Sequence, residues 1–202
     1  YEISEANEEI TETPEIPETP SLPSAPVTPP AFGEDVMEPL PFTDVEDGDW
    51  FYDYVAYVYA NGLMDGTSGT TFEPDANMTR AMVWAILARV DGKTVTGANW
   101  ADTAREWAVT NGVSDGENAN GYVTREQLAT MLYRYAGEPE TDGSGVGVFD
   151  DGETVSVWAF DAMSWALNNG IITGVSDDAL LPANTATRAQ CAAMLMRFVE
   201  NI

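Results

Sequence analysis

The sequence predicts an all-α fold made of three helix-loop-helix units that share one hydrophobic core. Three observations support this prediction. A tryptophan followed eleven residues later by Asn-Gly occurs three times in the 202-residue chain. A Thr-Arg pair follows each Asn-Gly, and it opens a segment with apolar residues at i, i+3, i+4 and i+7, the spacing of one helix face. Such internal repetition is typical of folds assembled from equal units.

The first helix of each unit is predicted to run from about the tryptophan to the Asn-Gly. The glycine occupies the position where a left-handed residue commonly ends a helix. An aromatic residue seven positions after each tryptophan is predicted to lie in the core. The tryptophans are Trp50, Trp100 and Trp158. The helix-ending glycines are Gly62, Gly112 and Gly170. The core aromatic residues are Tyr57, Trp107 and Trp165.

The second helix of each unit is predicted to begin at the threonine of the Thr-Arg pair, a favourable N-cap residue. Units 2 and 3 carry glutamine three residues after that threonine, which makes a capping box, whereas unit 1 has Met82 there. The first core position of this helix is Val83 in unit 1, Leu128 in unit 2 and Cys191 in unit 3. We therefore interpret the single cysteine as a small buried hydrophobic residue rather than a reactive thiol.

The three units are predicted to be residues 41–92, 93–137 and 138–202. The middle unit is five residues shorter between its helix-ending glycine and its threonine. One helix pair of this size buries too little surface to fold alone. Because the chain shows no capping repeat, we expect a closed, pseudo-threefold bundle rather than an open solenoid.

Residues 1–40 differ in composition from the rest of the chain. They contain 8 of the 12 prolines, 10 acidic residues and no lysine or arginine. Such a segment cannot bury a core, and its prolines favour extended polyproline II structure. We expect an acidic, Pro/Thr/Glu-rich linker that joins the folded part to something upstream. The chain begins with Tyr, and we interpret it as a fragment or a processed product.

Composition excludes several function classes. The net charge of −26 argues against nucleic acid and against electrostatic binding to anionic lipid. With no histidine and one cysteine, a Cys-His zinc site and a Ser-His-Asp triad are excluded. The longest apolar run, residues 81–88, is too short for membrane insertion. No pair of carboxylates is repeated as a unit, so we predict that this chain is not an enzyme.

We expect no dedicated cofactor or metal site. The loop "GENANG" has the spacing of a calcium loop, but Gly116 and Gln127 stand where two essential oxygen ligands belong. Loose association of Ca²⁺ with the acidic loops stays open.

The repeated residues resemble the S-layer homology (SLH) module, and the resemblance covers residues 42–201 in three copies. Its pattern is F-x-D, then Trp, then Asn-Gly-x-x-x-Gly, then F-x-P and finally Thr-Arg-Ala. Unit 2 lacks the F-x-D and F-x-P parts. Unit 1 shows "FTDVEDGDWFYDYVAYVYANGLMDG" and "FEPDANMTRAM", and unit 3 shows "FDDGETVSVWAFDAMSWALNNGIITG" and "LLPANTATRAQ".

The resemblance implies a three-pronged spindle around a central helical bundle. It also implies non-covalent anchoring of a surface protein to the bacterial cell wall. In this family the grooves between copies bind secondary cell-wall polysaccharide, often through a sugar that carries a pyruvate ketal. The motif arginines that would line the grooves are Arg80, Arg125 and Arg188. The motif glycines are Gly66, Gly116 and Gly174. Thr79, Thr187, Gln190, Trp50 and Trp158 complete the predicted polysaccharide-binding set.

Two interpretations of the Thr-Arg arginines stay open on physical grounds. A cation in the first turn of a helix is disfavoured by the helix dipole, so something must compensate it. A buried carboxylate partner is one solution. A bound anion held by the guanidinium group and by free helix N–H groups is the other, and the resemblance favours it. Because unit 2 is degenerate, Arg125 is expected to contribute less to binding than Arg80 and Arg188.

Other repeated residues are assigned mainly structural roles. We expect Arg89, Arg134 and Arg197 to stabilise the C-terminal ends of their helices. Trp50, Trp100 and Trp158 offer a flat face for a sugar ring, but packing at the start of a helix is the interpretation we place first. Trp84 has no counterpart in the other units and is predicted to be exposed.

The sequence therefore predicts an extracellular protein of the bacterial cell wall or S-layer. Its partners would be a secondary cell-wall polysaccharide or another peptidoglycan-linked glycan, together with upstream domains of the same protein. The alternative is a structural building block whose surfaces bind other protein copies and assemble into an array or filament.

Overall fold

The computed structural model describes residues 39–201, and within this range it contains six α-helices and no β-strand. The all-α prediction is confirmed. None of the described helices is long and apolar enough to span a membrane. Residues 1–38 of the predicted linker lie outside the described range. The helices are α1 (Tyr52–Ala60), α2 (Arg80–Val90), α3 (Trp100–Thr110), α4 (Arg125–Tyr135), α5 (Phe160–Asn168) and α6 (Arg188–Asn201).

The second helices α2, α4 and α6 begin at the predicted threonines. The Thr79 hydroxyl accepts a hydrogen bond from the Met82 N–H at 3.3 Å. Thr124 and Gln127 form the reciprocal capping box that the sequence predicts. Unit 3 repeats it, with donor–acceptor distances of 3.2 and 3.3 Å. Each cap satisfies a helix N–H that has no partner within the helix.

The first helices α1, α3 and α5 end alike. Asn61, the C-cap residue of α1, donates its side-chain amide to the Tyr57 carbonyl at 2.8 Å. Asn111 and Asn169 make the same bond at the same distance. The glycine that follows has a positive φ of 64°, 68° and 65° in units 1, 2 and 3. A left-handed residue is favourable only for glycine at this point, so the Asn-Gly pair ends the helix as predicted.

The helices that pack most closely together belong to different units. Helix α2 packs against α3, α4 against α5, and α6 against α1. The second helix of each unit therefore lies beside the first helix of the next, and the third unit returns to the first. This cyclic pairing closes the bundle.

A ring of three backbone hydrogen bonds joins the residues that precede the capping threonines. The Met78 N–H donates to the Ala186 carbonyl at 3.1 Å, the Ala186 N–H to the Val123 carbonyl at 2.9 Å, and the Val123 N–H to the Met78 carbonyl at 2.9 Å. All three residues are buried. The ring has one member from each unit, which supports the predicted pseudo-threefold arrangement.

The N-terminal N–H groups of each second helix donate to a loop of another unit. The N–H groups of Arg80 and Ala81 donate to the carbonyls of Gly121 and Ala119 at 2.9 and 3.0 Å. Helix α4 makes the equivalent bonds to the loop of unit 3, and α6 to the loop of unit 1. These N–H groups have no partner within their own helix, so the neighbouring unit supplies it.

The predicted core positions of the second helices are buried. Val83, Leu128 and Cys191 each have 0% exposed surface, which confirms their placement. Burial raises the pKa of the Cys191 thiol to about 12, so the thiolate is disfavoured at neutral pH. The predicted core aromatic residues Tyr57, Trp107 and Trp165 are also buried.

The prediction that Trp84 is exposed is wrong, because its side chain has no exposed surface. The helix α2 buries every residue from Val83 to Ala88, so its middle is enclosed on nearly all sides. A single apolar face was therefore too simple a description of this helix. The equivalent residues Ala129 and Ala192 are buried as well, so this position belongs to the core in all three units.

We expect Val83→Ala to lower the free energy of unfolding by about 2 kcal/mol, because it removes two buried methyl groups and leaves a cavity. Val157→Ala is the matched control, since that side chain is 95% exposed and its truncation should change stability by less than about 0.5 kcal/mol. Urea denaturation followed by circular dichroism measures both. Equal effects of the two substitutions would contradict the assignment of Val83 to the core.

Candidate binding grooves between the units

Three grooves with the same set of structural elements occur in the described part of the chain. Each combines a Thr-Arg arginine from one unit with the loop and second helix of the next unit and a tryptophan from the third. We call them groove 1, groove 2 and groove 3 after the unit whose second helix forms the wall. Their volumes are about 360, 260 and 420 Å³.

The principal residues of each groove occupy equivalent positions in the repeat. Groove 1 is lined by Asp65, Gly66, Met82, Ile86, Arg89, Trp100 and Arg188. Groove 2 is lined by Arg80, Ser114, Asp115, Gln127, Thr130, Met131, Arg134 and Trp158. Groove 3 is lined by Trp50, Arg125, Thr173, Gly174, Gln190, Met194 and Arg197. Every groove therefore depends on all three units.

The Thr-Arg arginines are held by backbone carbonyls of the neighbouring loop. Arg125 is 5% exposed, and it donates from Nε to the Leu180 carbonyl at 2.9 Å and from Nη2 to the Thr173 carbonyl at 2.6 Å. Arg188, which is 8% exposed, makes the equivalent bonds to the carbonyls of Phe72 and Asp65, both at 2.6 Å. The guanidinium groups thus fix the loops that form the groove walls.

Arg125 and Arg188 are buried cations without a carboxylate partner. Neither forms an ion pair with any carboxylate of residues 39–201. Burial lowers the pKa of both guanidinium groups from its usual value, as expected when a charge leaves water. The oxygen atoms that accept their hydrogen bonds belong to neutral carbonyls. Carboxylates act on these cations only through space, Asp151 on Arg125 and Glu73, Asp44 and Asp65 on Arg188.

Arg80 differs, because it has a carboxylate partner. Its Nη2 lies 2.5 Å from Oδ1 of Asp115, and it also donates to the Ser114 hydroxyl at 2.9 Å. Its Nε donates to the Glu117 carbonyl. Of the two interpretations left open by the sequence, a carboxylate partner therefore describes Arg80, although Asp115 itself is largely exposed.

The expectation that free helix N–H groups would assist the arginines is wrong. The first N–H groups of α2, α4 and α6 are already bonded to loop carbonyls or to the capping threonines. Thr79 and Thr187 accordingly cap their helices and do not line a groove, and Gly116 does not line one either. The donors that remain for a ligand are on side chains.

The motif glycines of units 1 and 3 permit a close approach of the chain to an aromatic ring. A Cβ atom on Gly66 would lie 2.5 Å from Cε1 of Phe42, and one on Gly174 would lie 2.6 Å from Cε1 of Phe149. Both would also meet backbone oxygens of their own loop. Gly66 and Gly174 thus shape the groove loops, and their role in the repeat is steric.

The packing at the helix start that was placed first for the tryptophans leaves two of them largely exposed. Trp50 is 61% exposed and Trp158 is 56% exposed, while Trp100 is half-buried. Trp50 contacts Phe51 edge-on, with ring centroids 5.4 Å apart, and Tyr54, with ring centroids 6.3 Å apart, and it also lines groove 3. Trp50 and Trp158 precede their helices and line the groove of another unit, a relation that sequence spacing does not reveal.

The arginines ten residues after each capping threonine also line the grooves, which the sequence analysis missed. Arg197 donates from Nη2 to the Tyr54 hydroxyl at 2.8 Å, and its guanidinium carbon lies 4.9 Å from the centre of that ring. Arg89 donates to the Leu63 carbonyl at 2.9 Å. Their recurrence among only eight basic residues was the available signal.

The F-x-D aspartates hold the loops that receive the arginines. The Asp44 carboxylate accepts from the N–H groups of Phe72 and Glu73 at 2.8 and 2.7 Å. Asp151 accepts in the same way from Leu180 and the next residue, both at 2.8 Å. The carbonyls of Phe72 and Leu180 then accept from Arg188 and Arg125. Unit 2 lacks this aspartate, and it also has the smallest groove.

The structure removes the reason for expecting Arg125 to contribute less to binding than Arg80 and Arg188. Arg125 belongs to the degenerate unit 2, but it lies in groove 3, whose loop and helix come from unit 3. The groove built on unit 2 receives Arg80 instead.

Among residues 39–201, no group of three or more acidic or cysteine side chains converges to hold a metal ion.

Asp151→Asn should reduce stability at neutral pH but have little effect in acid. Hydrogen bonds from the N–H groups of Leu180 and Leu181 hold the pKa of Asp151 below its usual value. The folded state therefore favours the ionised form. This contribution is complete above the unfolded-state pKa of about 3.9 and is lost as pH falls through the lower folded-state pKa.

The measurement is the urea midpoint of the parent chain and of Asp151→Asn between pH 7 and pH 3. The gap between them should narrow below about pH 4. Asp177→Asn, a substitution of an exposed aspartate, is the control and should follow the parent at every pH. Curves for parent and Asp151→Asn that stay parallel down to pH 3 would show that this carboxylate does not stabilise the loop.

Comparison with known families agrees with this geometry. The model of the S-layer homology domain matches residues 41–81 and 148–192. The two ranges lie in units 1 and 3, and each extends from the F-x-D region to the start of a second helix.

Similar proteins include enzymes and surface-layer proteins. An amylopullulanase of Thermoanaerobacterium thermosulfurigenes is 28% identical over 79% of this chain and 9% of its own length. An endoglucanase of Bacillus sp. (strain KSM-635) is 29% identical over 80% of this chain and 19% of its own length. An S-layer protein of Bacillus thuringiensis subsp. finitimus is 25% identical, over 77% and 21% respectively.

The chain thus spans about a tenth to a fifth of the length of these relatives. The activities in their names belong to those proteins. The domain match and the surface-layer relatives indicate a surface-anchoring module of an extracellular protein associated with the cell wall.

Proposed function

We propose that the chain anchors a surface protein to the cell wall by binding an acidic glycan in the grooves between its units. A secondary cell-wall polysaccharide with a carboxylate-bearing sugar, such as a pyruvate ketal, fits the chemistry. The observation that carries the proposal is the pair of buried arginines, Arg125 and Arg188, which line grooves 3 and 1 and form no ion pair within residues 39–201.

A bound anion would compensate these charges. Removing a cation from water costs free energy that neutral carbonyls only partly offset. A carboxylate from a ligand would bring a negative charge into direct contact and accept hydrogen bonds from the guanidinium group. In a chain with a net charge of −26, an acidic glycan needs such local positive charge to approach.

The tryptophans supply the apolar part of recognition. Trp50 and Trp158 expose more than half of their surface at the edges of grooves 3 and 2. The flat face of an indole ring suits the C–H face of a sugar ring, and burying it would contribute free energy. Groove volumes of 260–420 Å³ are near the lower end of the typical range for ligand sites, roughly 300–1,000 Å³.

The proposal includes unit 2 as a shortened third copy of the domain. Its supporting features are the Thr124 cap, the helix-ending Gly112 and the bonds from Arg80 to its loop. The same cyclic contacts connect unit 2 to both neighbours. The triplet is then one binding module rather than two independent domains.

We expect the full chain to co-sediment with purified sacculi that keep their polysaccharide and to stay in solution with sacculi from which it has been removed. The reason is that the proposed ligand is the polysaccharide and not the peptidoglycan itself. Retention that is equal on both preparations would contradict the proposal. Self-association of the chain without sacculi, seen by analytical ultracentrifugation, would instead favour the structural building block.

Substitutions test the grooves directly. Trp50→Ala removes an exposed side chain of groove 3, and we expect roughly a tenfold loss of affinity for sacculi, since aromatic contacts contribute about 0.5–1.5 kcal/mol beyond the burial of apolar area. Lys93→Ala is the control, because Lys93 is exposed and lies outside the grooves. Thermal unfolding should show both variants folded. Equal binding by both would argue against groove 3.

A further inference from the structure

The three grooves differ in charge at one position of the repeat. The residue before the motif glycine is Asp65 in unit 1, Asp115 in unit 2 and Thr173 in unit 3. All three side chains are exposed, and each residue lines its own groove. Packing in the core therefore does not restrict which residue occupies this position.

The aspartates of grooves 1 and 2 oppose the arginines there. Asp115 forms the ion pair with Arg80 in groove 2. In groove 1, Oδ2 of Asp65 lies 3.6 Å from Nη1 of Arg89. Each of these grooves thus contains two arginines and one carboxylate. A second carboxylate, brought by a ligand, would meet a like charge at close range.

Groove 3 has two arginines and no acidic residue in its lining. Arg125 is 95% buried, and within residues 39–201 its Nη1 has no hydrogen-bond partner. Arg197 is fixed in position by its bond to Tyr54. Two preorganised cations therefore face the largest of the three cavities, at about 420 Å³.

Gln190 adds a neutral donor to the same groove. Its Oε1 accepts from the Thr187 N–H in the capping box, so the remaining side-chain group of the amide is its NH₂. The equivalent position in groove 1 is Met82, beside Ala85 and Ile86, which makes that wall apolar. Groove 3 thus combines the greatest positive charge with a polar wall.

We propose that groove 3 is the groove that takes the carboxylate-bearing sugar, and that the residue before the motif glycine determines which groove does so. This inference rests on the proposed function, since it assigns the anion of the same glycan to one groove of three. Thr173 permits the anion, whereas Asp65 and Asp115 weaken its binding in grooves 1 and 2.

An exchange of these residues tests the proposal in the full chain. The probe is a soluble fragment of the wall polysaccharide, released from sacculi, and the same fragment with its carboxyl groups chemically reduced. Isothermal titration calorimetry should show one site on the parent chain for the acidic fragment. Thr173→Asp should weaken that site at least tenfold, and Asp115→Thr should add a second site of measurable affinity.

Two controls keep the result specific. Thr103→Asp places the same charge on an exposed position of α3 outside the grooves, and it should leave binding unchanged. The reduced fragment should bind weakly and equally to parent and variants. Thr173 is exposed, so Thr173→Asp should keep the melting temperature of the parent. Asp115→Thr loses the bonds from Arg80 and from the Glu117 N–H, so it should unfold at a lower temperature but remain folded at the temperature of the titration.

The outcomes separate the two proposals. If the parent does not bind the acidic fragment, the proposed function fails and the groove assignment fails with it. If the parent binds but Thr173→Asp has no effect, or acts no differently from Thr103→Asp, glycan binding stands and the assignment to groove 3 is overturned. A parent stoichiometry of two or three acidic fragments would also overturn it.

Discussion

The fold depends on how the second helices satisfy their N-terminal N–H groups. These groups have no partner within a helix, and a buried helix start would be costly without one. Here the carbonyls come from the loop of the next unit, and the ring of Met78, Val123 and Ala186 joins all three helix starts. No unit can complete its helix ends alone, so the three must close into a cycle.

The same constraint makes each groove composite. The Thr-Arg arginine follows the capping threonine, and the cyclic contact carries it into the neighbouring loop, where it donates to carbonyls. Its guanidinium group therefore fixes the loop and also forms part of the groove. Replacing Arg125 or Arg188 by alanine would leave buried carbonyls unpaired, so loss of binding in such variants would not by itself identify a ligand contact. The exposed Trp50 and Thr173 are cleaner probes.

Similar backbone architecture does not make the grooves chemically equal. The aspartates that bind the loop N–H groups, Asp44 in unit 1 and Asp151 in unit 3, have no counterpart in unit 2. The loop of unit 2 is shorter, and the arginine that enters its groove, Arg80, forms an ion pair with Asp115. Asp65 and Asp115 lower the positive charge of grooves 1 and 2. They take no part in the ring of hydrogen bonds that joins the three units. Binding specificity can thus vary from groove to groove while the fold stays constant.

The sequence by itself determined the local structure. Capping threonines, Asn-Gly helix ends and apolar spacing predicted the helices and buried positions such as Leu128, because these effects act within a few residues. The tertiary structure decided which units meet. It buried Trp84, exposed Trp50 and placed Arg125 in the groove of unit 3, because each depends on packing between units that lie far apart in the chain. Spacing within one unit carries no information about that pairing.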